Sequence, residues 1–116
     1  MFQNITVAAL QEMHGSSGIA LIDVRSEAEA ARGIIAGAVP IPLHLLPLKA
    51  EELDSETLTV VYCHAGARSA QACAFLADKG FRKVYNLQGG VLAWLRHGLP
   101  LGGPAQYGTM PCCSAE

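Results

Sequence analysis

The stretch from Thr57 to Ala74, TLTVVYCHAGARSAQACA, constrains the fold more than any other part of the chain. Leu58 to Tyr62 is rich in β-branched residues and lacks polar alternation, the pattern of a strand covered on both faces. Cys63 stands where that run ends. His64, Ala65, Gly66, Ala67 and Arg68 follow, and Ser69 is placed to cap a helix from about Ala70 to Lys79. A covered strand that feeds directly into a helix belongs to a sheet sandwiched between helical layers.

The flanking segments repeat this alternation. Thr6 reads as the N-cap of a short helix, VAALQEMH, with Val7, Leu10 and Met13 on one face. Gly15 to Gly18 is a turn cluster, and Ile19 to Asp23 is a second apolar strand. Ser26 with Glu29 three residues on fits a capping box, giving a short helix from Glu27 to Arg32. Glycines and prolines from Gly33 to Pro47 predict irregular chain with a short extended piece at Ala38 to Ile41, and Leu48 to Leu53 predicts another helical turn. Gly80 ends the central helix, Lys83 to Leu87 is a further strand, and Val91 to His97 is a helix behind the Gly89-Gly90 turn. Strands alternating with helices predict an α/β fold with a central, mostly parallel sheet flanked by helices on both faces.

A chain of 116 residues suffices for one core and not two. Its 51% hydrophobic content suits a packed domain, and its formal charge of −2 argues against a nucleic-acid partner. No apolar run approaches the roughly 20 residues that cross a bilayer, so no membrane partner is expected. There is no basic, apolar leader pattern, and the expected compartment is the cytoplasm. Of the four cysteines, Cys63 and Cys73 lie in the apolar middle and Cys112 and Cys113 lie side by side near the end. That spacing suits reduced thiols better than a disulfide scaffold. No metal site or cofactor is expected.

Ligands of parallel α/β sheets bind beyond the carboxyl ends of the strands, where Cys63 stands. A cysteine attacks as its thiolate, and two features here favour that anion. The following helix offers unpaired N–H groups and the positive end of its dipole. The small residues Ala65, Gly66 and Ala67 let consecutive N–H groups turn inward around one anionic atom. Arg68 adds positive charge, aimed at the substrate or braced against a carboxylate. His64 either tunes the thiolate or faces solvent. Asp23 and Arg25 either reach the site from a neighbouring strand end or serve structural hydrogen bonds. Cys73, on an alanine-rich helix, and Trp94 read as core.

The segment Cys63-His64-Ala65-Gly66-Ala67-Arg68-Ser69 resembles the active-site loop of the rhodanese family of sulfurtransferases, in which four residues separate cysteine and arginine. Leu21-Ile22-Asp23-Val24-Arg25, Gly37-Ala38-Val39-Pro40-Ile41-Pro42, and Gly80-Phe81 through Gly89-Gly90 to Trp94 are similar to the family's other motifs, in the same order. The resemblance covers about Ile5 to Leu101 and implies a rhodanese domain over residues 1–101, with a tail over residues 102–116. It implies that Cys63 accepts a sulfane sulfur from thiosulfate or a related small sulfur-containing anion and becomes a persulfide. A thiophilic acceptor, a thiol or a protein in the cell, then takes the sulfur. Residues His64 to Ser69 would bind the substrate and hold the terminal sulfur. The chain departs from the family pattern at Ile34, where a histidine is frequent, and at Ala36, where a proline is frequent.

Two other readings stand beside this one. The chain is alternatively a sulfur carrier that docks to a partner, with Cys112 and Cys113 as relay thiols. Cysteine phosphatases and arsenate reductases share the layout, but the phosphatases place five residues between cysteine and arginine, a ring better suited to phosphate.

Overall fold

A computed structural model describes residues 2–13 and 18–102. Five parallel strands form one sheet: β1 (Gln3–Ile5), β2 (Ile19–Asp23), β3 (Val39–Pro40), β4 (Leu58–Tyr62) and β5 (Val84–Leu87), in the spatial order β1-β5-β4-β2-β3. The helices are α1 (Val7–Met13), α2 (Glu27–Ala30), α3 (Leu46–Lys49), α4 (Ala67–Asp78) and α5 (Gly90–Arg96), and short 3-10 turns flank α3. The expected α/β class and the parallel sheet are both present.

The central strand β4 explains its composition by its position. Its side chains alternate between two apolar layers, with Val61 and then Cys63 on one side and Val60 and Tyr62 on the other. The first layer packs against Ala72, Cys73 and Leu76 of α4, and the second against Leu10 of α1 and Val91 and Trp94 of α5. Both faces being dry, neither can alternate polar with apolar.

Two expectations are corrected, and one strand appears that no expectation covered: β1, whose sequence Gln-Asn-Ile is too short and polar to announce itself, pairs with β5 at the sheet edge. The helical stretch before β4 starts at Leu43 rather than Leu48, because Pro42 and Pro47 sit at turn starts that tolerate a missing N–H. The central helix starts at Ala67, with Gly66 rather than Ser69 as its N-cap. The Ser26–Glu29 capping box is present, although α2 closes at Ala30. The expected turn at Gly15 to Gly18 lies mostly outside the described residues.

Sheet order creates the site. After β4 the chain crosses to β5, and after β2 it crosses the other way to β3. The adjacent ends of β4 and β2 therefore send their loops apart and leave a crevice, as expected at a reversal of strand order.

Candidate active site

Cys63 leaves the middle strand at this crevice and is 1% exposed. The loop turns back on its sulfur. The Gly66 N–H donates to Cys63 Sγ at 3.0 Å, and the Ser69 N–H and Oγ–H both lie 3.3 Å from it. Gly66 makes the turn in the left-handed region at φ 118°, where any side chain would be strained. Ser69 fails as a cap because it sits inside the first turn of α4, with its hydroxyl within reach of the sulfur, the Gly66 carbonyl and Asn86 Oδ1.

These contacts decide the thiol's charge. Burial works to raise the Cys63 pKa. Hydrogen bonds from the Ser69 hydroxyl and from the N–H groups of Ser69, Gly66 and Ala65 outweigh it, and the net shift is downward. Alkylation of Cys63 by iodoacetamide should therefore be half-maximal at a pH below the ordinary 9.0. Ser69→Ala removes a donor to the anion, so the midpoint should move up; a stopped-time pH–rate profile with peptide mapping measures it. The buried Cys73 goes the opposite way, pushed up to about 12 chiefly by burial, which disfavours its thiolate at neutral pH.

Arg68 takes the bracing alternative. Its guanidinium makes a two-pronged ion pair with Glu29 of α2, at 2.7 and 3.0 Å, across the crevice. The Arg68 hydrogen bond is the main cause holding the Glu29 carboxyl down at about 2. The brace ties the cysteine loop to the helix after β2. His64 is exposed; its carbonyl accepts the Leu92 N–H at 3.1 Å, and the Cys63 carbonyl accepts the Val91 N–H at 2.9 Å. Both belong to the N-terminal turn of α5.

That grip explains Gly90. A Cβ there would stand 2.5 Å from the Cys63 carbonyl oxygen and 2.7 Å from that of His64, and Gly90 has φ 57°. Gly90→Ala should cost about 3 kcal/mol through backbone strain and overpacking. Thermal melting should show a fall in Tm of more than about 10 °C.

Asp23 and Arg25 take the structural alternative. They pair with each other at 2.7 Å, both buried, and Arg25 Nη2 donates to the Gly33 carbonyl at 2.6 Å. Two contributing residues escaped the sequence reading. Glu29 was visible only as a capping residue. Asn86, on β5, accepts the Ser69 hydroxyl through Oδ1 and donates to Asn4 Oδ1 at 3.2 Å. Its signal is a polar residue inside the apolar run of β5. The Ser69 hydroxyl has one proton for Cys63 Sγ, Gly66 O and Asn86 Oδ1, so Asn86 competes for the proton that would stabilise the thiolate. Cys112 and Cys113 lie outside the described residues. Among the described residues no three His, Cys, Asp or Glu side chains converge as a metal site, and no helix is long and apolar enough to cross a membrane.

Beside the loop, Val24, Ser26, Pro42, Leu43, His44 and Arg68 line a cavity of about 330 Å³ in the crevice. Together the fold and the site define a parallel α/β domain that presents one activated thiol in a backbone cradle. The chain belongs to the rhodanese-like domain family, whose profile matches residues 6–97. A sulfurtransferase of Allochromatium vinosum is 44% identical over 81% of this chain and 88% of its own length. The thiosulfate sulfurtransferase GlpE of Stutzerimonas stutzeri is 34% identical over 73% and 77%, respectively. The crystal structure of a rhodanese-related protein from Thermoplasma volcanium superposes with a TM-score of 0.78 at 32% identity, covering 86% of this chain and 97% of that one. These relatives support sulfur transfer as the general chemistry.

Proposed function

We propose that the protein is a cytoplasmic sulfurtransferase that takes sulfane sulfur from thiosulfate, or a related anion, onto Cys63 and passes it to a thiophilic acceptor. The observation that carries this reading is the convergence of the Gly66 N–H, the Ser69 N–H and the Ser69 hydroxyl on one buried sulfur. The Cys63 thiolate attacks the outer sulfur of thiosulfate. A new S–S bond forms as the old one breaks, and sulfite leaves with the electron pair. The donors that held the thiolate then face the persulfide anion, whose charge is the same. An acceptor such as cyanide attacks the outer sulfur, and the Cys63 thiolate is the leaving group. Low thiol pKa makes it both available for attack and easy to expel.

The direct test is intact mass spectrometry after incubation with thiosulfate. The protein is expected to gain one sulfur atom, mapped to the Cys63 peptide in a variant lacking the tail cysteines. A protein that gains no sulfur in any such preparation would sink the reading.

A further inference from the structure

One donor to the Cys63 sulfur is shared. The N–H groups of Gly66 and Ser69 are fixed by the backbone, but the Ser69 hydroxyl can turn, and it carries a single proton. Three acceptors lie within its reach: Asn86 Oδ1 at 2.5 Å, the Gly66 carbonyl at 3.2 Å and Cys63 Sγ at 3.3 Å. Asn86 is the nearest, and it is 7% exposed. Against the burial that raises the Cys63 pKa, this hydroxyl is the strongest of the lowering contacts. Whatever directs its proton therefore bears on the thiolate.

The fold fixes which end of the Asn86 amide the hydroxyl meets. Parallel register sets Asn4 of β1 beside Asn86 of β5, and Asn86 Nδ2 donates to Asn4 Oδ1 at 3.2 Å. Nδ2 also lies 3.4 Å from the Gly66 carbonyl, which can only accept. With the nitrogen committed to those oxygens, Oδ1 faces Ser69 as an acceptor. Beside a neutral thiol, the hydroxyl donates to Oδ1. Once the sulfur is an anion, the charge-assisted bond is the stronger one and the proton turns to Sγ. Oδ1 is then buried without a donor, which costs free energy. Asn86 thus works against the anion that the backbone N–H groups favour.

The other titratable groups around the sulfur stay out of this exchange. Arg68 of α4 is paired with Glu29 of α2, and Asp23 of β2 with Arg25. Cys73 of α4 is a buried thiol pushed up to about 12. His44, Lys49 and His64 are exposed, and Tyr62 and Tyr85 pack on the opposite face of the sheet. The helix α5, which grips the loop, has no titratable side chain before Arg96. Among the described residues none of these side chains hydrogen-bonds to the Ser69 hydroxyl or the Asn86 amide.

We propose, resting on the Cys63 sulfur-transfer reading, that Asn86 is a positioning residue that acts through Ser69: by holding the hydroxyl proton it sets how far the loop favours the Cys63 anion, and so divides rate between loading sulfur and releasing it. A less stable thiolate attacks the donor faster, and a more stable one is expelled faster from the persulfide. Removing the Asn86 oxygen should shift the balance toward release.

The test reads the pH midpoint of Cys63 alkylation by iodoacetamide, with peptide mapping, in the full chain. It compares the parent, Asn86→Leu, Ser69→Ala and S69A/N86L as a double-mutant cycle. Leucine keeps the branched shape of the amide without its polar atoms. It orphans no buried group, because the Gly66 carbonyl keeps the Ala70 N–H at 3.1 Å and Asn4 is exposed. Asn86→Val, suited to a strand, is carried through the same cycle in case leucine does not fit. Either substitution should lower the midpoint by about one pH unit. S69A/N86L should keep the midpoint of Ser69→Ala. At a pH above both midpoints, loading from thiosulfate should slow about threefold in Asn86→Leu while discharge to cyanide quickens. A midpoint that stays or rises in both Asn86 variants would overturn the proposal. So would an equal fall in the Ser69→Ala background, or loading and discharge that slow together. Alkylation needs no sulfur donor, so the midpoints are independent of the sulfurtransferase reading. A parent protein that gains no sulfur would overturn that reading and the division of rates with it, while the midpoint cycle would still decide whether Asn86 acts on Cys63 through Ser69.

Discussion

Replacing Cys63 with serine is expected to lower thiosulfate–cyanide turnover by about 10³-fold or more, the equivalent of ~4 kcal/mol of barrier. The reason is electronic rather than steric. Serine fits the same enclosed site, and the N–H groups of Gly66 and Ser69 would find an oxygen where they now find Cys63 Sγ. An alcohol has no accessible anion near neutral pH, whereas the cradle lowers the pKa of a thiol. An oxygen also forms no stable counterpart of the persulfide. Turnover should therefore collapse while the thermal transition moves by no more than a few degrees. Steady-state thiocyanate formation and a melting curve on the same preparation separate the two effects. Aryl phosphate hydrolysis offers a second discriminator: it is expected at background in both proteins, and hydrolysis lost with Cys63 would assign the site to phosphate chemistry instead.

Much of this site was legible because its chemistry is local. Strand, cysteine, small residues and helix follow one another within Thr57 to Ala74, and backbone N–H groups do the stabilising. What stayed hidden involves partners set by sheet order. Glu29 meets Arg68 over 39 positions of sequence because β2 and β4 are neighbours whose loops diverge. Asn86 meets Ser69 because β5 lies on the other side of β4. The start of α4 was misplaced for a related reason. Serine is a common N-cap, but its hydroxyl here serves the sulfur, and Gly66 supplies a left-handed start that no capping pattern announces. Nothing in Gln3-Asn4-Ile5 marks a strand until β5 supplies its partner.

Asp23→Ala should destabilise the fold by about 3–5 kcal/mol, because it leaves the Arg25 guanidinium buried with its countercharge removed. Arg25 is 5% exposed, and three hydrogen bonds join its side chain to the Asp23 carboxylate. The variant would keep the Gly33 carbonyl and the Tyr62 ring, 5.8 Å away, neither of which balances a full charge. Replacing both partners with apolar residues of similar volume, as in D23L/R25M, should recover more than half of the loss. Urea denaturation of the single and double variants measures this directly. The consequences should extend to catalysis. Arg25 pins Gly33, and Tyr62 Oη accepts the Ile35 N–H at 3.0 Å, so the chain leaving α2 is fastened at two successive points. Those fastenings hold Glu29 where it meets Arg68. Once they loosen, the Cys63 loop loses its brace on the β2 side, while α5 still grips the Cys63 and His64 carbonyls on the other. Sulfur loading of Asp23→Ala should thus be slowed well below the melting range rather than abolished. The double variant keeps the hydrophobic share of the stability but lacks the Arg25–Gly33 bond, so its loading should stay slow even where its stability returns. Recovery of both together would show that the ion pair acts on the site through global stability alone.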